Sequence, residues 1–108
     1  MNAPVERDAE GYLIHTDDWS EAIAIDIADE EGITLNDEYW VVFRFIRSWY
    51  DDHGITPDIR HLVKQLGEER RINKKQAKQY LFEMFPYGYV KQACKIAGMK
   101  RPRAWSTG

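Results

Sequence analysis

With 108 residues, of which 44% are apolar and 31% charged, the chain has the size and composition of one globular domain, which excludes disordered and fibrous proteins. Its longest apolar stretch, residues 39–46, contains Arg44 and is far shorter than the ~20 residues that cross a bilayer, so no membrane helix is expected. The N-terminus lacks the basic start and apolar run of a secretory signal, and a cytoplasmic location is predicted.

The net charge of −3 hides an uneven distribution along the chain. Residues 1–38 contain twelve acids and one base, whereas residues 84–108 contain five bases and no acid. A basic stretch of this kind favours an anionic partner. Cys94 is the only cysteine and the three histidines lack i, i+4 spacing, so neither a metal site nor a cofactor is predicted.

The first predicted element is a short β-hairpin. Residues 5–7 and 12–14 flank the turn Asp8-Ala9-Glu10-Gly11, and Gly11 can take the positive φ that closes it. Because helices are predicted for the rest of the chain, the expected fold class is α+β and mainly α.

Two helices are predicted next. The first has Asp17 or Asp18 as its N-cap and ends at Gly32. The second begins after the cap Asn36 and ends at Gly54. Apolar residues cover most of the circumference of this second helix, so we expect the other elements to surround it.

Two shorter helices with a tight connection follow. Thr56 is the predicted cap of a helix that ends at Gly67, and Asn73 is the predicted cap of one that ends before Pro86. Two helices joined in this way resemble a helix-turn-helix.

A last helix is predicted over about Tyr89–Ala97, with Gly98 at its end. The chain is therefore interpreted as one domain of three parts. Residues 1–36 form the hairpin and first helix, residues 37–98 form an orthogonal helical bundle, and residues 99–108 form a flexible C-terminal arm.

The C-terminal part of the chain carries the motif on which a family can be recognised. The motif reads Phe85-Pro86-Tyr87-Gly88, then Lys91-Gln92-Ala93-Cys94-Lys95-Ile96-Ala97-Gly98-Met99, then Pro102. It resembles the C-terminal motif of the DsrC/TusE family of small sulfur-relay proteins, and related residues occur along nearly the whole chain. They are Gly11-Tyr12-Leu13, Trp19, Glu31-Gly32-Ile33, Leu35, Trp40, Arg47, Gly54, Pro57, Arg60, Leu62 and Tyr80-Leu81.

The resemblance implies the hairpin, the helical bundle and the mobile arm, and it implies a role as a sulfur carrier or sulfurtransferase component. In family members a cysteine near the arm tip, eleven residues after the position of Cys94, carries the persulfide. Trp105 stands at that position in this chain, and an indole cannot hold a persulfide. We therefore predict a non-catalytic binding or regulatory member of the family, not an independent enzyme.

One alternative is a persulfide carrier that uses Cys94. Lys91 and Lys95 are close in sequence, and neighbouring cations lower the pKa of a thiol. Against this, Cys94 is near the C-terminal end of its predicted helix, and free cysteines are often buried.

A second alternative is nucleic-acid binding by the helix-turn-helix-like pair. Its second helix carries three lysines that could contact phosphates. They are Lys74, Lys75 and Lys78. The helix offers few side chains suited to base edges, and a solvated charged face explains the same lysines.

The predicted partner contact is the basic C-terminal region. Its residues are Lys91, Lys95, Lys100, Arg101, Arg103 and Trp105. Tryptophan and arginine are frequent in interface hot spots, although Trp105 could also dock on the protein's own surface. The expected partners are sulfur-relay or sulfite-reductase-type proteins, and the sequence leaves the oligomeric state open.

Overall fold

The computed structural model describes residues 5–100, and this part of the chain is helical. The α-helices are α1 (Glu21–Glu30), α2 (Asp37–His53), α3 (Ile59–Arg70) and α4 (Lys74–Met84). A 3-10 helix, Thr16–Asp18, precedes α1, and a π-helix, Tyr89–Cys94, follows α4. None of the helices within residues 5–100 is both long and apolar enough to cross a membrane.

The predicted N-terminal β-hairpin is wrong. Residues 5–14 form a turn with one isolated bridge, between Arg7 and Leu13, and contain no strand. Gly11 takes the expected positive φ, at 92°. The side chain of Asp8 accepts hydrogen bonds from two backbone N–H groups of the turn. These local side-chain bonds take the place of the backbone hydrogen bonds that would pair two strands. The fold of residues 5–100 is therefore all-α, not α+β.

Helix α1 starts later than predicted. Its N-cap is Ser20, whose hydroxyl accepts a hydrogen bond from the backbone N–H of Ile23. Asp17 and Asp18, the predicted caps, lie instead in the preceding 3-10 helix. The buried face of α1 consists of small and aliphatic residues. They are Ala24, Ile27 and Ala28.

Both predicted ends of α2 are confirmed. The side chain of Asn36 caps its first turn, and Gly54 follows its last turn with a left-handed φ of 73°. The helix packs against α3 and the π-helix. The ring of Phe43 is fully buried and contacts Trp40 edge-on, with 5.7 Å between the ring centroids, and Phe85 with 6.0 Å. The expectation that other elements surround α2 holds for one side only, because Val42, Phe43 and Ile46 are buried whereas Arg44 and Ser48 are exposed.

Helix α3 differs from the prediction at both ends. Asp58 caps it in place of Thr56, and the helix continues beyond Gly67, which was its predicted end. Arg71 stops it in a left-handed conformation with φ 56°. A Cβ at Gly67 would lie 3.1 Å from the carbonyl oxygen of Ile72, so this glycine provides space for the chain to turn back.

Helix α4 begins with the predicted cap. The N–H of Gln76 donates to Oδ1 of Asn73 at 2.8 Å, and the N–H of Asn73 donates to Oε1 of Gln76 at 3.0 Å. This reciprocal pair is a capping box. Helices α3 and α4 pack directly against each other.

The last predicted helix is present, but the segment Tyr89–Cys94 has the wider turns of a π-helix. Gly98 ends the helical path with φ 78°, as predicted. Met99, which the sequence assigned to the arm, is fully buried. Its N–H donates to the carbonyl of Cys94 at 2.9 Å, so it packs with the body. Residues 101–108 of the predicted arm lie outside the described residues.

Candidate functional site

Residues 95–100, which we call the arm root, connect the body to the predicted arm. Side chains from two other parts of the fold donate hydrogen bonds to backbone carbonyl groups of the arm root. Nε1 of Trp19 donates a hydrogen bond of 2.8 Å to the carbonyl of Ile96. Nη1 of Arg47 donates one of 2.9 Å to the carbonyl of Ala97. Carbonyls at the end of a helix lack helical partners, so Trp19 and Arg47 satisfy groups that burial would otherwise leave unpaired.

These two side chains, which we call the clamp, also stack on each other. The guanidinium carbon of Arg47 lies 4.4 Å from the centroid of the Trp19 ring, a cation–π contact. Nη2 of Arg47 donates to the carbonyl of Thr16 at 3.1 Å. Burial lowers the pKa of Arg47, but a guanidinium remains charged near neutral pH. The clamp therefore joins the 3-10 helix, α2 and the arm root.

Gly98 lets the arm root approach the clamp closely. A Cβ at this position would lie 2.7 Å from Cγ of Trp19, closer than real Cβ contacts. Its φ of 78° is also in the left-handed region, which favours glycine. No other residue type fits here without movement of the indole or of the backbone.

The described chain ends beside a small groove. Oγ1 of Thr56 donates to the carbonyl of Lys100 at 3.3 Å. The groove has a volume of about 270 Å³ and is lined by polar and apolar residues. They are Ile14, His15, Thr16, Asp17, Tyr50, Thr56 and Lys100. Lys100, the last described residue, therefore lies at the edge of a groove that contains the acid Asp17.

Cys94 lies inside the protein and has no exposed surface. Burial raises the pKa of its thiol to about 12, and an interaction with the side chain of Tyr89 opposes this only partly. Lys95 was expected to lower that pKa, but its Nζ pairs with Oε2 of Glu31 at 3.2 Å. Lys91 is exposed on the surface. The thiol is therefore almost entirely protonated at neutral pH.

A polar network ties the segment around Cys94 to the end of α1. Nε2 of Gln92 donates to Oε1 of Glu31 at 3.2 Å, and Oε1 of Gln92 accepts from the N–H of Tyr87 at 3.0 Å. Gln92 is the buried polar residue of the core. Lys91 and Lys95 line a groove of about 310 Å³ on this side. Its other lining residues are Glu10, Tyr12, Glu31 and Tyr87.

The structure thus separates the predicted partner-binding residues. Lys91 and Lys95 share one groove, and Lys100 lines another. The other predicted contacts lie outside the described residues. They are Arg101, Arg103 and Trp105. Sequence reasoning did not identify the clamp, because nothing in the local pattern around residues 19 and 47 indicates which carbonyls they bind.

The three lysines of α4 lie together in a groove between α3 and α4. They are Lys74, Lys75 and Lys78, and all are exposed. Sequence reasoning missed that Arg60 and Lys64 of α3 line the same groove. The signal that could have revealed them is their i, i+4 spacing, which places both side chains on one face of α3. Within residues 5–100, no group of three or more histidine, cysteine or acidic side chains could bind a metal ion.

The described residues thus form an all-helical body to which side chains of other elements hold the arm root. The sequence profile of a family described as "DsrC like protein" matches residues 1–104. The chain belongs to this family and is a DsrC/TusE-like sulfur-relay protein.

Known relatives agree with this assignment. Sulfurtransferase TusE of Sodalis glossinidius is 45% identical over 98 residues, which cover 91% of this chain and 90% of that protein. Sulfurtransferase TusE of Escherichia coli K12 is 44% identical over 98 residues, which cover 91% of this chain and 89% of that protein.

Solved structures show the same fold. The oxidised gamma-subunit of the dissimilatory sulfite reductase (DsrC) from Archaeoglobus fulgidus superimposes with a TM-score of 0.81 at 31% identity, covering 94% of this chain and 91% of that one. Allochromatium vinosum DsrC gives a TM-score of 0.78 at 35% identity, with 92% and 88% covered. These findings support the sulfur-relay assignment and give no support to the helix-turn-helix interpretation.

The clamp predicts a large loss of stability for Gly98→Ala. We expect a decrease in the free energy of unfolding of roughly 2–5 kcal/mol, of which about 1–2 comes from the left-handed φ and about 1–3 from the collision with Trp19. Gly54→Ala is the matched control, because Gly54 has a φ of 73° and nothing within 4 Å of an added Cβ. Urea denaturation measures both losses. Equal losses in the two variants would contradict the close contact.

The burial of Cys94 predicts that the native thiol resists alkylation. A pKa of about 12 makes its thiolate fraction at pH 8 roughly a thousandfold lower than that of an ordinary cysteine. Iodoacetamide should therefore label the urea-unfolded chain quickly and the native chain hardly at all, as followed by mass spectrometry. Since the sequence has one cysteine, the readout is unambiguous. Similar native and unfolded rates would contradict the burial.

Proposed function

We propose that this protein is a non-catalytic binding or regulatory member of the cytoplasmic sulfur relay. One observation supports the proposal above all others. The single cysteine of the chain is fully buried, and Trp105 stands where the family's arm-tip cysteine would be. Sulfur transfer by persulfide exchange requires an accessible thiolate, and neither position supplies one.

The arm can still contribute binding without chemistry. Relatives of this chain are named as sulfurtransferases and as the gamma-subunit of a sulfite reductase, so proteins of these systems are the proposed partners. Arg101 and Arg103 supply positive charge next to Trp105, and tryptophan and arginine are the side chains that most often dominate interfaces. The arm would occupy a site on the partner that a sulfur-carrying relative uses.

The clamp supports such a role because it fixes where the arm starts. With the carbonyls of Ile96 and Ala97 bound by side chains, the arm root has little freedom to lose when a partner binds. Covalent geometry limits the distance from Lys100 to Trp105 to about 17 Å. A partner pocket for the indole would thus lie within that distance of the arm root.

The alternative that Cys94 carries the sulfur has less support. An attacking thiolate must form at neutral pH and must reach the donor sulfur. Cys94 meets neither requirement in the native packing, since burial keeps the thiol protonated and covered. Loading would require the packing that buries Cys94 to open first.

The proposed binding role predicts that the affinity for a partner depends strongly on the arm. Removing residues 101–108, or the single change Trp105→Ala, should weaken binding to a purified sulfurtransferase of the same relay by roughly 30-fold or more, the size of a hot-spot loss. Biolayer interferometry measures the affinity. The deletion starts after Lys100 because Met99 is a buried core residue.

Cys94→Ala serves as the control in this experiment and should leave the affinity unchanged. Unaltered binding after the deletion would contradict the arm-based role. A fall in the free energy of unfolding of Trp105→Ala, without loss of affinity, would show that the indole docks on the protein's own surface.

The missing thiol predicts that Trp105→Cys restores sulfur loading. After incubation with a persulfide donor, this variant should gain the mass of one sulfur atom on residue 105, whereas the parent chain and Trp105→Ser should gain none. Peptide mass spectrometry locates the adduct. Stoichiometric loading of Cys94 in the parent chain would overturn the non-catalytic role and support the carrier alternative.

A further inference from the structure

A groove with a volume of about 680 Å³ lies between α3 and α4. We call it the basic groove. Its lining combines cationic and apolar side chains from both helices. The lining residues are Ile59, Arg60, His61, Val63, Lys64, Lys74, Lys75 and Lys78.

The rim of the basic groove carries positive charge that the protein itself leaves largely unneutralised. Five of its lining residues are cationic and none is acidic. Arg60 is paired with Asp58, with 2.8 Å between Nη2 and Oδ2. The lysines of the rim form no ion pair with an acid of residues 5–100. They are Lys64, Lys74, Lys75 and Lys78. An anionic partner would therefore gain contacts without displacing internal ones.

The floor of the basic groove is apolar. Ile59 and Val63 lie one turn apart on α3 and line it from one side. Ile59 also lines a neighbouring hollow with Leu81 and Phe82, which extends the apolar surface along α4. The ring of Phe82 is 45% exposed. The groove therefore offers an apolar track as well as charge.

The two kinds of side chain repeat with helical spacing. On α4, Lys74, Lys78 and Phe82 are four residues apart and share one face. On α3, the pair Arg60 and Lys64 has the same spacing beside the apolar pair. A row of cationic side chains thus lies beside a row of apolar ones. Such a surface matches a helix with apolar residues on one face and acids at its flanks, as in helix-in-groove recognition.

We propose that the basic groove is a docking surface for an acidic amphipathic helix of a protein partner. The surface is separate from the arm and goes beyond the proposed arm-based function. The charge of the rim selects acids, and the apolar floor distinguishes a protein helix from a nucleic acid. A phosphate backbone would meet the lysines but would have no aliphatic side chains to bury against Ile59 and Phe82.

The test uses a fluorescein-labelled helical peptide built from the repeated heptad Leu-Glu-Glu-Leu-Leu-Glu-Glu, which keeps its leucines on one face, titrated with the full chain and followed by anisotropy. Lys78→Glu should weaken binding roughly tenfold, because it reverses a rim charge. Arg44→Glu is the matched control, since Arg44 is also exposed and helical but lies on α2. A peptide with glutamine in place of glutamate should bind more weakly than the acidic one.

The apolar surface beside the basic groove, to which Phe82 belongs, has its own matched pair. Phe82→Ser should weaken peptide binding, whereas Ile25→Ser should not. The two side chains are 45% and 46% exposed, and Ile25 lies on α1. Circular dichroism checks that each variant is folded. Removal of residues 101–108 should leave peptide binding unchanged, so the groove and the arm are tested independently.

Several results would overturn the proposal. Binding of a short RNA duplex that Lys78→Glu abolishes, with no binding of the peptide, would assign the groove to nucleic acid. Sedimentation showing a dimer that Lys78→Glu dissociates would assign it to a second copy of the chain. Equal affinity for the acidic and glutamine peptides, or loss of peptide binding on deleting the arm, would also contradict it.

Discussion

The arrangement of the whole C-terminal part depends on the clamp that Trp19 and Arg47 form on the arm root. One indole and one guanidinium stack on each other and bind two consecutive helix-end carbonyls. Gly98 allows the contact because it has no Cβ. Met99 and Cys94, on either side of these two carbonyls, are both fully buried, and the N–H of Met99 donates to the carbonyl of Cys94. The clamp therefore holds residues 95–100 against the body, next to the segment that buries the thiol.

This packing is the main support for the proposed binding role. A protein that carries sulfur needs a nucleophile that is exposed and ionised, and this chain places its one thiol where it is neither. What the chain does expose is charge: a basic C-terminal region and a basic groove on a second surface.

The sequence predicted those parts of the fold that depend on local chemistry. Asn36 and Asn73 were identified as caps because a single side chain satisfies the first turn, and Gly54 because a left-handed residue ends a helix. The end of α3 was missed because Arg71 takes that conformation without being glycine. The sequence left the pKa of Cys94 open, because lysine neighbours lower it and burial raises it, and only the packing shows that burial prevails. Such properties arise from contacts between distant segments, which local patterns do not contain.

The most direct test of the central claim is a transfer assay with isotopically labelled sulfur. A labelled persulfide donor is mixed with the native protein and a downstream acceptor from the same relay, and the label on each protein is measured over time. Our account predicts that the label never resides on this chain and that the chain changes only the affinity or rate of the exchange between its partners. Label that passes through the chain to the acceptor in stoichiometric amount would contradict it.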